Sequence, residues 1–275
     1  MPQSIETKPA GQRGQLDLRH VSKTYDVDGR TLQVLRDVNL MVEPGEFISI
    51  VGASGCGKST LLRLIIGLDA DYQGHILLDD RPISGTSLAR GIVFQDPCLL
   101  PWLTLQDNVA LALASVPLSE REKTDLVRTH IELVGLTGFE RAYPHQLSGG
   151  MAQRAAIARG LVTRPEILLL DEPLGALDAL TRMRLQDELL RIWETEKITM
   201  ILVTHDVEEA IYLGDRIVVM QANPGRISRD INVELPPVRQ RTDAAFIALR
   251  QEVLADMGAL SQSDRGGPAR LRRVS

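Results

Sequence analysis

The nine residues Gly52-Ala53-Ser54-Gly55-Cys56-Gly57-Lys58-Ser59-Thr60 constrain this chain more than any other stretch. They follow a β-branched run, Phe47-Ile48-Ser49-Ile50-Val51, and open a helical pattern over Lys58–Ile66. The glycines let the backbone curl until successive N–H groups face inward, and the helix start adds partial positive charge. Such a cradle fits phosphate oxygens. Lys58 is placed to reach β- and γ-phosphates, and the Ser59 hydroxyl to ligate Mg²⁺. The arrangement requires a buried strand feeding a helix, so the chain is committed to an α/β layer.

The rest of the sequence alternates in keeping with that. Leu16–Val21 reads as a half-buried strand, and short apolar strands follow at Gly91–Phe94, Ile167–Leu170, Met200–Thr204 and Arg216–Met220. Helical patterns over Ala179–Glu196 and Val207–Leu213 separate the later ones. Buried strands alternating with helices predict a mainly parallel sheet covered on both faces. From Asp107 to Gly160 the strand signals stop and helices take over. Ser119 is placed as the N-cap of one of them, with Glu122 at N3. This predicts a helical subdomain over about residues 96–160. Residues 1–14 and 261–275 are rich in Gly, Pro, Ser and charge and read as solvated tails, the second one basic. Residues 233–260 read as a helical extension.

Charge and composition exclude several functions. Thirty-one basic against 36 acidic residues give a net charge of −5, which argues against a nucleic-acid footprint. Aromatics at 4% weaken any base-stacking surface. Two cysteines, Cys56 and Cys98, make no disulfide framework and suit a reducing compartment. The longest nearly apolar stretch, Val109–Leu118, is broken by Ser115 and Pro117, and a spanning helix needs about 20 residues. The N-terminus lacks an apolar signal core. A soluble, cytoplasmic chain is expected, reaching a membrane only through a partner.

Two further constellations carry chemistry. The run Ile167-Leu168-Leu169-Leu170-Asp171-Glu172 ends a buried strand in two carboxylates, where open α/β sheets bind ligands. Asp171 is placed to hold a metal, and Glu172 to orient or deprotonate a water aimed at a γ-phosphate. In Leu147-Ser148-Gly149-Gly150-Met151, a serine and two glycines open a helix and make a second anion-binding surface. The two phosphate surfaces need not bind the same nucleotide. Cys56, just before Lys58, lies among helix N-terminal amides that favour thiolate. It is expected to react with maleimide and to be shielded by nucleotide, with Cys98 a minor target. The alternative is that Cys56 fills a permissive loop position.

With these motifs in place, the chain resembles the ATP-binding subunits of ABC transporters over about residues 15–232. The resemblance implies a P-loop ATPase core with an antiparallel β edge and an inserted helical subdomain. It implies that Tyr25 stacks on adenine, although a tyrosine after a strand is also commonly a packing residue. By the same likeness Gln95 touches Mg²⁺ and the attacking water, and His205 holds the γ-phosphate. Ser148, Gly149 and Gly150 match the signature and Asp178 the D-loop, and the likeness implies that all four bind nucleotide. Met151 stands where the usual signature has Gln. The implied mechanism is a homodimeric clamp closing on ATP and Mg²⁺, coupled to two permease subunits and, through them, to a periplasmic solute-binding protein. That places the chain at the cytoplasmic face of a bacterial inner membrane, with no nucleic-acid partner.

A narrower likeness rests on Leu99–Thr104, Gly175–Arg182, Asn223–Ile227 and Phe246–Leu254, which look like the nitrate, sulfonate and taurine importer branch. Aliphatic-sulfonate members match best, ahead of taurine and nitrate. Trp102 is either a core residue of the helical subdomain or a contact with the permease. A non-transport ABC ATPase working on DNA or ribosomes is the competing class. It usually adds a second cassette, a coiled-coil arm or a zinc module, none of which is evident.

Overall fold

A computed structural model of the chain describes residues 13–263 apart from residue 237. Of the tails read at 1–14 and 261–275, residues 1–12 and 264–275 lie outside these residues. The rest are corrected, since 261–263 continue the last helix and Gly14 N donates to Asp79 Oδ2 at 3.1 Å. Two long strands open the chain, β1 (Leu16–Val27) and β2 (Arg30–Val42). They are joined at Asp28-Gly29, both at positive φ, the conformation that a tight hairpin turn requires. Next come β3 (Phe47–Gly52), α1 (Lys58–Ile66), β4 (Gln73–Leu78), β5 (Arg81–Pro82) and β6 (Arg90–Val93). The helical stretch holds α2 (Leu105–Ala110), α3 (Glu120–Leu133) and α4 (Gly149–Leu161). The chain then alternates through β7 (Ile167–Asp171), α5 (Ala179–Glu196), β8 (Thr199–Thr204), α6 (Val207–Leu213) and β9 (Arg216–Gln221). It closes with β10 (Arg226–Asn232) and α7 (Ala244–Ser263), whose helix passes the boundary at 260 read from sequence.

The strands form two sheets. One is antiparallel, in the order β2-β1-β4-β5. The other runs β10-β9-β3-β8-β7-β6 and is parallel except where β10 meets β9. Every residue of β3 and β8 is buried, as expected of central strands covered on both faces. One face packs on α1 and the antiparallel sheet, the other on α5 and the helical stretch. A smaller cluster joins Val51, Phe246 and Val253 beneath α6 and α7. In register, Val51 pairs with Thr204, Asp171 with Val203, and Val93 with Leu170. The C-terminal ends of β3, β8, β7 and β6 therefore lie side by side along one edge.

Among the described residues no strand interrupts the chain between Val93 and Ile167, in agreement with the helical subdomain. Ser119 caps α3 as read: its Oγ accepts from Glu122 N at 3.3 Å, and Glu122 Oε2 accepts from Ser119 N at 2.8 Å. Ahead of α2, the fully buried Asn108 ties down the preceding loop. Its Oδ1 accepts from Leu100 N at 2.7 Å, and its Nδ2 donates to the carbonyls of Leu100, Leu103 and Thr104. That loop holds Trp102 69% exposed, which overturns the core reading of this residue.

Candidate functional site

The phosphate loop forms because β3 ends at the sheet edge and only five residues separate it from the start of α1. Gly57, at φ 96°, is the N-cap of α1, and a Cβ there would meet Leu35 Cδ2 at 2.6 Å. Only glycine satisfies both the left-handed backbone and the close approach. Gly52 is similarly confined, since a Cβ would lie 2.5 Å from the Met220 carbonyl. Ala53, Ser54 and Gly55 form the exposed rim of the loop, with Thr60 half-buried on the helix behind it. Lys58 is buried, its ammonium donating to the carbonyls of Gly52 at 2.9 Å and Ala53 at 3.3 Å. The cation is folded back across its own loop, within side-chain reach of any phosphate seated there.

Neighbouring strand ends bring the other groups to this point. Asp171, at the end of β7, accepts from Ser59 Oγ at 3.1 Å. Burial raises its carboxyl above the usual range, against the Ser59 hydrogen bond, and the adjacent Glu172 raises it further. An acid held this way gains from a cation beside it. Glu172 follows at φ 47°, its N–H donating to Val203 O at 2.9 Å, so the chain turns sharply and presents the carboxylate forward. His205, one residue beyond β8, donates through Nδ1 to Glu172 Oε2 at 3.0 Å. Gln95, beyond β6, is exposed and lies against the turn after Glu172, its Nε2 3.1 Å from where a Cβ of Gly175 would stand. Ser59, Asp171 and Gln95 offer a hydroxyl, a carboxylate and an amide oxygen, a hard-oxygen set that fits Mg²⁺.

The remaining residues gather elsewhere. Ser148 caps α4, its Oγ accepting from Met151 N at 3.3 Å. The exposed Gly149 and the buried Gly150 follow on the first turn of α4. Cβ atoms there would meet Leu177 Cδ2 at 3.5 Å and Thr181 Cγ2 at 2.5 Å, so this turn is fitted to the start of α5. Asp178 caps α5, accepting from Thr181 N at 3.0 Å, and that hydrogen bonding holds its carboxyl below the usual range. Tyr25 lies on the antiparallel sheet, half-buried, its hydroxyl donating to Asp69 Oδ2 at 2.9 Å and its ring 4.6 Å from Lys23 Nζ.

Cys56 departs from expectation. The curl of the loop turns its side chain inward, where it is fully buried. Burial raises its thiol above the ordinary value, outweighing the pull of Lys58 in the other direction. The reactive-thiolate reading is therefore wrong for the folded chain, and Cys98 is the exposed cysteine. Conversely, sequence reasoning passed over Glu209, which lies buried behind His205. It stood as one of two acids in an ordinary helix first turn. The available signal was its spacing, four residues beyond His205.

Comparison with known proteins agrees with this geometry. A family model described as ABC transporter matches residues 35–175. The aliphatic sulfonates import ATP-binding protein of Bacillus cereus (strain ATCC 10987 / NRS 248) is 48% identical over 247 residues, covering 90% of this chain and 95% of that one. The protein of the same name from Bacillus subtilis (strain 168) is 47% identical over 85% of this chain and 91% of its own. Among solved structures, a dimeric ATP-binding cassette in a post-hydrolysis state bound to ADP and Pi superposes with a TM-score of 0.70 at 33% identity, covering 80% of this chain and all of that one. A part of an ABC transporter complex from Clostridium perfringens gives 0.74 at 28% identity, covering 91% and 99%. An edge that unites phosphate loop, paired carboxylates and histidine, with these likenesses over nearly the whole length, means that the chain belongs to the ABC transporter family.

Proposed function

We propose that the chain is the ATP-hydrolysing subunit of an importer for aliphatic sulfonates, acting at the cytoplasmic face of the membrane beside two permease subunits. The observation that carries the reading is the convergence of Lys58, Ser59, Asp171, Glu172, His205 and Gln95 at four adjacent strand ends. No helix among the described residues is long and apolar enough to cross a membrane. The sulfonate assignment follows relatives of that name at 47–48% identity. Taurine and nitrate importers of the same branch are the alternatives.

On this reading, ATP takes the place of the two carbonyls that Lys58 now contacts, and the amides of 53–60 receive its phosphates. Tyr25 faces the adenine. Glu172 accepts the proton of the attacking water, and His205, hydrogen-bonded to that carboxylate, meets the γ-phosphate with its other ring nitrogen. Ser59, Asp171 and Gln95 would hold Mg²⁺, which would supply positive charge against the phosphates. Ser148, Gly149 and Gly150 lie with α5 and not at this edge, which supports a site completed by a second copy, with Asp178 at the contact. A periplasmic solute-binding protein would deliver the sulfonate.

The test is growth of a host lacking this chain on an aliphatic sulfonate as sole sulfur source. Restoration by the native chain but not by Glu172→Gln supports the reading. Undiminished sulfonate growth without the chain, together with loss of growth on taurine or nitrate, refutes the substrate assignment.

A further inference from the structure

The His205 ring is 60% exposed, and among the described residues its side-chain partner is Glu172, so the backbone beneath it largely decides where the ring stands. That backbone is held from behind. Thr204 Oγ1 accepts from Asp206 N at 3.0 Å, spanning His205, and donates its own hydrogen to Glu209 Oε2. Asp206 caps α6, its Oδ1 accepting from the N–H groups of Glu208 at 2.9 Å and Glu209 at 3.2 Å. Glu209 is thus fixed by the cap and in turn fixes the residue before His205. The circuit closes on itself.

Glu209 is an unusual choice for such a place. It is 4% exposed, and its Oε1 is buried with no hydrogen-bond partner among the described residues. Leaving a buried carboxyl half-satisfied is destabilising, and an apolar side chain would fill the space without that penalty. Its charged surroundings are Asp206 on its own helix, Arg182 from α5 and His205. Arg182 donates to Leu177 O at 3.0 Å and lies 3.7 Å from Asp206 Oδ2, tying the turn to the start of α5 as well. Burial pushes the Glu209 carboxyl up to about 7, so a protonated acceptor is available near neutrality.

We propose that Glu209 is a positioning residue for ATP hydrolysis, locking the Thr204–His205–Asp206 turn so that His205 stands against Glu172. This rests on the roles given above to His205 and Glu172. Glu209 never touches nucleotide; it acts through the histidine.

The experiment measures kcat and KM for ATP of the full chain carrying Glu209→Ala, Glu209→Gln, His205→Ala and the Glu209→Ala/His205→Ala pair. The expected result is that Glu209→Ala loses about tenfold in kcat with KM within about twofold, while Glu209→Gln, whose amide oxygen still accepts from Thr204, stays near native. The pair should be no slower than His205→Ala alone, because both act through one group. If Glu209→Ala does not fold, Glu209→Leu keeps the volume without the acceptor and takes its place. Native kcat in the alanine or leucine variant, no rescue by Gln, or losses that multiply in the pair would each overturn the proposal. A native rate in His205→Ala would refute the histidine's role itself, a separate and recognisable failure.

Discussion

The buried Glu209 carboxyl makes a quantitative forecast about stability. An exposed glutamate titrates near 4.5, and this one is held at about 7 in the folded chain. Below both values the group is protonated whether the chain is folded or not, and pH has no leverage through it. As pH rises the unfolded chain ionises first, so folding stability falls, and the fall is complete once pH passes the folded value. At 1.36 kcal/mol for each step of one in pKa, the loss is about 3 kcal/mol in all, of which about 2 kcal/mol falls between about pH 5.5 and 8.5. Glu209→Gln keeps the Thr204 contact and cannot ionise. The difference in unfolding free energy between native chain and variant should therefore move by about 2 kcal/mol toward the variant across that range. Urea unfolding followed by circular dichroism, both proteins in matched buffers, reads it directly. Comparing a difference cancels the titrating groups that do not face Glu209. A difference that stays flat with pH, or one that moves toward the native chain, would show that Glu209 is already ionised in the fold.

Other expectations are independent of that residue. Maleimide should modify Cys98 on the folded chain, and Cys98→Ser should leave it unreactive until denaturant exposes Cys56; mass mapping of the labelled peptide decides this. Lys58→Ala should weaken ATP binding by a single chain about 10- to 100-fold, as expected for losing a charge-assisted contact, whereas Ser148→Arg should leave that affinity near native and prevent an ATP-held dimer. Equilibrium binding with size-exclusion chromatography separates the two. Asn108→Ala removes four partly buried hydrogen bonds and should cost about 2–3 kcal/mol in urea unfolding.

The site was legible where backbone demands are severe. The phosphate loop declares α1 from Lys58, and α5 and α6 coincide with their apolar periodicity. What sequence left unread was mostly edge strand. In β2, exposed and buried positions do not alternate cleanly, because register shifts against β1 near Val21 and Lys23 break the period of two. Strand β5 is only two residues long, and β4 opens with three exposed residues, Gln73, Gly74 and His75, so its apolar signal is confined to its second half. Cys56 went wrong for a different reason. Amide dipoles and a nearby ammonium were visible in the sequence, but the direction of one side chain was not, and burial outweighs both. Trp102 shows the converse, a large aromatic that the fold leaves outside.

The fastening of residues 100–104 by Asn108 bears on how strongly a partner can hold Trp102. Were this segment free, ordering its backbone on docking would forfeit about 5 kcal/mol or more, nearly four powers of ten in Kd. Because the loop is ordered when the helical subdomain folds, a docking chain has only the two indole torsions left to freeze. Association should then be rigid and fast to form, with little conformational adjustment on this side. Any grip on this tryptophan would be decided one layer down, by an amide that has no surface of its own.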